Sequence, residues 1–225
     1  MTPTPGAVLF DIDGTLVDSN YVHVDTWSRA FADVGVEAPS WKIHRCIGMD
    51  GDKLLESLVG SADSAAALEA KDLHSRYYGE ASGRLQILPG ARELLQRVSD
   101  TGLTAVLATS APESELAYLR DLLDVEDIVS VVTSSEDADV AKPSPEIVQV
   151  ALDRAGVEPG SAVMIGDSVW DMKASRAAGV TGIGVRCGGV PDAELRSAGA
   201  EAVFDDPADL IERFGESPIA RLVDL

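Results

Sequence analysis

Ala7-Val8-Leu9-Phe10-Asp11-Ile12-Asp13-Gly14-Thr15-Leu16-Val17-Asp18-Ser19 decides how the rest of the sequence is read. An apolar run ends abruptly in two carboxylates, a glycine and a hydroxyl. Four apolar residues bounded by polar and turn residues predict a buried strand. Asp11 then sits at its C-terminal tip, where open α/β sheets hold their ligands. With one residue between them and Gly14 next, Asp11 and Asp13 form a turn in which one carboxylate can attack while the other faces a different side of the same substrate. Taken alone, the same residues also describe an acidic surface turn, because Asp and Gly are ordinary turn residues.

After Ser19 the pattern becomes helical. Asp18, Ser19 or Asn20 can cap a helix in which His23, Trp27, Phe31 and Val34 share one face, and Gly35 closes it. Further helices are expected from Trp41 to Ile47, from Lys53 to Val59, and from about Asp63 through Tyr78, with no strand signal between Ser19 and Arg84. Beyond Pro89-Gly90 the elements alternate. Strands are expected over 103–108, 128–132, 162–165, 180–185 and, more weakly, 202–204. Helices are expected over 91–99, from Pro112 to about Leu123, and over 145–155, 172–178 and 210–214. Such alternation gives an α/β fold with a parallel sheet covered by helices on both faces. The catalytic core is expected to be residues 1–17 joined to 86–225, interrupted by an all-helical cap over 18–85. Because the insert leaves from the reactive tip of the first strand, it must lie over that tip as a lid, and closure would exclude water.

Composition narrows the possible partners. The 225 residues suffice for one large domain, or a domain with an insert. A net charge of −20 argues against nucleic acid, whose phosphates it repels. No stretch has the length of a membrane span, and Met1-Thr2-Pro3-Thr4-Pro5-Gly6 has no basic region, so a cytoplasmic protein is expected. Cys46 and Cys187 lie far apart with no metal-ligand spacing, which suits reduced thiols.

Three later stretches put polar groups at strand ends. Thr109-Ser110-Ala111 stands just before a helix start, where backbone N–H groups favour an anion, although a Thr-Ser pair before proline also serves as a simple cap. Lys142, one of five lysines, lies in Ala141-Lys142-Pro143-Ser144-Pro145, where the prolines stiffen the loop. Gly166-Asp167-Ser168-Val169-Trp170-Asp171 follows an apolar strand and repeats the logic of the first stretch.

In this order the four stretches resemble the motif set of the haloacid dehalogenase superfamily of phosphatases and phosphomutases. The resemblance implies a Rossmann-like sheet with the first strand central. The insert is similar to the four-helix cap of the phosphoglycolate phosphatase and β-phosphoglucomutase branch. It further implies Asp11 as a nucleophile forming an aspartyl-phosphate and Asp13 as general acid and base. Thr109, with Ser110, Ala111 and Gly14, would hold the phosphoryl group, and Lys142 would pair with Asp11. Mg²⁺ would be held by Asp11, the Asp13 backbone carbonyl and Asp167, with Asp171 steadying it.

Dehalogenases and phosphonoacetaldehyde hydrolases lack the second aspartate, so Asp13 argues against both. In the cap, Arg45 and Lys53 are either substrate contacts or solvated side chains at a helix start. His23 resembles the cap histidine of β-phosphoglucomutase-like members, and it also fits a packed helix residue. The expected activity is Mg²⁺-dependent hydrolysis of a small phosphate monoester, of phosphoglycolate or sugar-phosphate type. A sugar phosphomutase would use the same residues. A phospho-aspartate switch is disfavoured by the large insert and by Asp13.

Overall fold

The first apolar run forms β1 (Ala7–Phe10), with all four residues buried. A computed structural model describes residues 6–137 and 142–223. After β1 the chain makes β2 (Val17–Asp18) and then four helices: α1 (Asn20–Asp33), α2 (Ser40–Cys46), α3 (Gly51–Val59) and α4 (Ala65–Ala81). It returns through β3 (Gln86–Ile87) into α5 (Ala91–Asp100), β4 (Thr104–Ala108), α6 (Glu113–Leu123), β5 (Val131–Thr133) and α7 (Glu146–Ala155). The remainder is β6 (Ala162–Gly166), α8 (Val169–Ala177), β7 (Thr181–Val185), α9 (Asp192–Ala198), β8 (Ala200–Phe204), α10 (Pro207–Glu212) and α11 (Ala220–Val223).

Six strands pair in the order β5-β4-β1-β6-β7-β8, every pair parallel. β1 is flanked by β4 and β6, with Phe10 beside Leu107 and Ile165. From β1 the chain moves outward in both directions, and such a reversal of strand order opens a crevice at the C-terminal strand ends. The loops after Phe10, Ala108 and Gly166 therefore meet at one edge.

Successive strand residues point to opposite faces, and both faces are covered. Val8, Phe10, Leu107 and Ile165 join Leu94, Leu116 and Leu210 of α5, α6 and α10. Ala7, Leu9, Val106 and Met164 join Val148 and Ala174 of α7 and α8. The cap helices α1–α4 have a separate apolar core that includes Trp27, Phe31, Ile43, Leu54, Leu55 and Ala70. Among the described residues, no helix is long and apolar enough to cross a membrane.

Several elements differ from the sequence expectation. β2 and β3 form a two-stranded antiparallel ribbon beneath the cap; two residues are too few to show an alternation. The strand expected over 128–132 begins only at Val131, because the Ile128 and Val129 N–H groups both donate to the Val125 carbonyl and hold that part of the run in a turn. α9 has seven residues and buries only Leu195 and Ala198, too little for a helical period to show. α8 starts at Val169 instead of Met172, since Ser168 and Asp171 form a reciprocal capping box.

Candidate active site

Phe10 ends the buried ladder, and the Asp11 N–H donates to the Ile165 carbonyl at 2.9 Å, so the nucleophile candidate is fixed to β6 as well as β1. Gly14 turns the loop with φ +71°, a conformation side chains disfavour. A Cβ there would also lie 2.5 Å from Asp167 Oδ2.

Lys142 is fully buried and its Nζ donates to Asp11 Oδ1 and to Asp171 Oδ1, both at 2.7 Å. Its neighbour Ala141 lies outside the described residues. Burial works against the ammonium, but Asp11 and Asp171 outweigh it and hold Lys142 above the ordinary lysine range. Burial pushes Asp11 up to about 7 even with Lys142 pulling the other way. Burial, then Asp171 and Asp11, raise Asp167 well above the usual carboxylate range.

Oxygens of Asp11, Asp167 and Asp171 lie within 4.8 Å of one another, all three residues buried. Three carboxylates thus face one ammonium, an excess that a hard divalent cation with oxygen ligands would neutralise. The Asp13 side chain is not part of this cluster. It turns to Ser19, whose Oγ donates at 2.6 Å, and to His23, whose Nε2 is 3.3 Å away. Burial would raise Asp13, but the hydrogen bonds from His23 and Ser19 prevail and lower it.

Thr109 is buried at the end of β4, and its Oγ1 accepts from the Ala111 N–H at 3.0 Å, so the Thr109-Ser110-Ala111 turn is braced just before α6. A cavity of about 440 Å³ is lined by Asp11, Asp13, Thr109, Ser110 and Ala111, and on the cap side by His23, Trp27, Met49, Asp50, Asp52, Lys71, Asp72 and His74. Arg45 and Lys53 do not line it. Arg45 pairs with Glu194 at 2.5 Å and Lys53 with Glu56 at 3.5 Å. Their charges are engaged elsewhere.

The sequence profile of the haloacid dehalogenase-like hydrolases matches residues 8–185, a span holding every group in this cluster. The chain belongs to that family. Haloacid dehalogenase-like hydrolases and related proteins similar to it include a phosphoglycolate phosphatase of Rhodospirillum rubrum, 31% identical, covering 94% of this chain and 91% of the relative. A phosphorylated carbohydrates phosphatase of Thermotoga maritima is 29% identical over 77% of this chain and 82% of its own. The crystal structure of a hydrolase from Pseudomonas syringae superposes with a TM-score of 0.88 at 32% identity, covering 94% of this chain and 98% of that one.

Groups that sequence reading passed over complete this haloacid dehalogenase-like site. Asn20, read as a helix cap, sends its Nδ2 to Asp167 Oδ2 at 2.8 Å and to the Gly188 carbonyl at 3.2 Å. Gly188 packs so closely that a Cβ would lie 1.7 Å from Asp167 Oδ2. His44 Nε2 also contacts the Gly188 carbonyl, at 3.0 Å, giving the cap a second tie to this loop. His74 and Glu115 extend the line that begins at Asp13 and His23. The apolar face of α1 offered a signal for His23 but none for these distant partners.

Proposed function

We propose that the chain is a Mg²⁺-dependent phosphatase that hydrolyses a small phosphate monoester through an aspartyl-phosphate on Asp11. One observation carries the reading: Asp11 lines the cavity while Lys142 holds one of its oxygens at 2.7 Å, with Asp13 beside it in the same cavity. In this reading Asp11 attacks phosphorus, Asp13 protonates the leaving oxygen and then takes a proton from water. Lys142 and the Thr109-Ser110-Ala111 turn, with Gly14 keeping the loop tight, hold the phosphoryl oxygens. Mg²⁺ would be held by Asp11, Asp167 and the Asp13 carbonyl, with Asp171 in support, and when bound it neutralises charge on the phosphoryl group. Residues 18–85 act as a cap domain on a core of 1–17 and 86–225.

Cavity charge bears on the substrate. Its cap side carries Asp50, Asp52 and Asp72, while the one Lys or Arg lining it among the described residues, Lys71, is paired with Asp52 at 2.5 Å. A carboxylate-bearing leaving group such as glycolate meets like charge there, whereas a neutral, hydroxyl-rich one finds acceptors. That favours a sugar-type phosphate, in line with the name of the Thermotoga relative, over phosphoglycolate.

The test is phosphate release from phosphoglycolate, hexose 6-phosphates and β-glucose 1-phosphate, with Mg²⁺ and with chelator, using wild type and Asp11→Asn. Expected is Mg²⁺-dependent release, greatest on a sugar phosphate and lost in Asp11→Asn without loss of folding. Substantial turnover by pure Asp11→Asn would refute the nucleophile. Isomerised sugar without release would make the chain a mutase.

A further inference from the structure

Glu115 lines the cavity and takes no part in the chemistry above. It stands in the first turn of α6, where a helix N-terminus favours an acid. Glu113, two residues earlier, meets the same preference while exposed, so that preference does not require a buried acid. Glu115 is only 6% exposed, and glutamates are almost never buried this far unless paired. Among the described residues its carboxylate takes part in no hydrogen bond. Its one ion-pair contact there is His74 Nδ1, 3.6 Å from Oε1 and beyond hydrogen-bond reach.

No cation nearby is free to answer it. Burial and then His23 hold His74 well below the usual imidazole range, so His74 is neutral near pH 7. His23 Nε2 is 3.3 Å from Asp13 Oδ1, and its charge is matched there. Lys71, the one Lys or Arg lining the cavity among the described residues, is held by Asp52 at 2.5 Å. Lys142 is committed to Asp11 and Asp171. Leaving a buried carboxylate without a partner is costly, and burial accordingly pushes Glu115 up to about 7. The space left beside it is the cavity itself.

A single carboxylate is too few for a divalent cation, which takes several oxygen ligands. A protonated amine needs only one, and it brings three donors. Position along the lining says which part of a substrate would carry it. The rings of His23 and His74, 3.3 Å apart between Nδ1 and Nε2, separate Glu115 from Asp13. A cation at Glu115 therefore belongs to the leaving alcohol, several bonds from its ester oxygen. Asp72, exposed, lining the same cavity and without a partner among the described residues, adds to the attraction.

We propose that the leaving group carries a protonated amine that pairs with Glu115, which makes Glu115 the specificity-determining residue for an amino-sugar phosphate. The assignment rests on the phosphatase reading and narrows its substrate class. A hydroxyl-rich ring supplies the distance between ester oxygen and amine, and its hydroxyls donate to the acids on the cap side.

The test measures kcat/KM at about pH 7 for wild type and Glu115→Gln on glucosamine 6-phosphate, N-acetylglucosamine 6-phosphate and glucose 6-phosphate. These share ring and ester and differ at one position, which bears an ammonium, a neutral amide or a hydroxyl. Wild type should prefer the amine over either neutral sugar by about tenfold or more, as a hydrogen bond between charged groups gives. In Glu115→Gln the ratio should fall close to one, with turnover of 4-nitrophenyl phosphate reporting that the variant has folded. Free glucosamine should also inhibit wild type about tenfold more tightly than free glucose, a comparison that needs no variant. Equal wild-type kcat/KM on amine and neutral sugars, equal inhibition by the two free sugars, or a preference that survives Glu115→Gln would overturn the amine assignment and leave the phosphatase reading standing. So would faster turnover of O-phosphoethanolamine, whose amine lies close to its ester oxygen, than of glucosamine 6-phosphate. A wild type that releases phosphate from none of these esters would overturn the phosphatase reading and the amine assignment with it.

Discussion

Replacing Lys142 by methionine removes the cation that pairs with two of three clustered, buried carboxylates, Asp11 and Asp171. Each contact is 2.7 Å, which Coulomb's law at an effective dielectric of about 20 makes worth about 6 kcal/mol before desolvation. Burying an ammonium returns several kcal/mol of that. Removing one partner of such a pair nets a loss of about 3–5 kcal/mol, because the remaining charges stay buried and uncompensated. The loss should depend on pH. Asp11, already raised to about 7, loses the main group that lowers it, so the folded variant takes up a proton that the unfolded chain does not. Extra protons on the folded state mean that stability falls as pH rises, so the penalty should be full near pH 8 and much smaller near pH 5. Urea denaturation of both proteins in chelator at these two pH values reads it directly. A difference under about 1 kcal/mol at the higher pH would mean that the buried cluster is not as charged as its geometry requires.

Two further outcomes follow from neighbouring groups. Asn20→Ala, which frees Asp167 Oδ2 from its 2.8 Å hydrogen bond, should weaken Mg²⁺ binding about 10- to 100-fold; a thermal-shift titration with Mg²⁺ equal to wild type would rule this out. Glu115 rises from 4.5 to about 7 on folding, so the folded state holds the extra proton and stability must decline with increasing pH across that window. The decline approaches about 3 kcal/mol. Glu115→Gln should flatten it and be the more stable protein above neutrality, and parallel stability curves for the two would count against a buried, ionising Glu115.

How legible these features were depended on how local they are. Asp11, Thr109, Lys142 and Asp167 were visible because each stands where an apolar strand ends or where prolines stiffen a loop. That spacing is written in consecutive residues. The ribbon of β2 and β3 escaped notice because two-residue strands show no period. His74 and Glu115 were hidden for another reason. One is a polar residue in an amphipathic helix and the other an acid in a helix's first turn, and both are commonplace until folding brings them to 3.6 Å. Arg45 and Lys53 illustrate the reverse: sequence showed their charge, and only the fold showed Glu194 and Glu56 beside them.

The ribbon itself has a consequence for how such a protein can change. With Val17 paired to Ile87 and Asp18 to Gln86, the chain leaves the sheet-bearing part and re-enters it one strand spacing away, about 4.8 Å. Because the two junctions are neighbours, whatever is spliced between them need only present adjacent ends. It need not span the sheet or match its twist. The four helices now there carry their own apolar core, so they can drift, lengthen or be exchanged with little strain on β1. Selectivity can therefore be rewritten by grafting at one doorway while the Asp11 carboxylate, a few residues away, keeps its place.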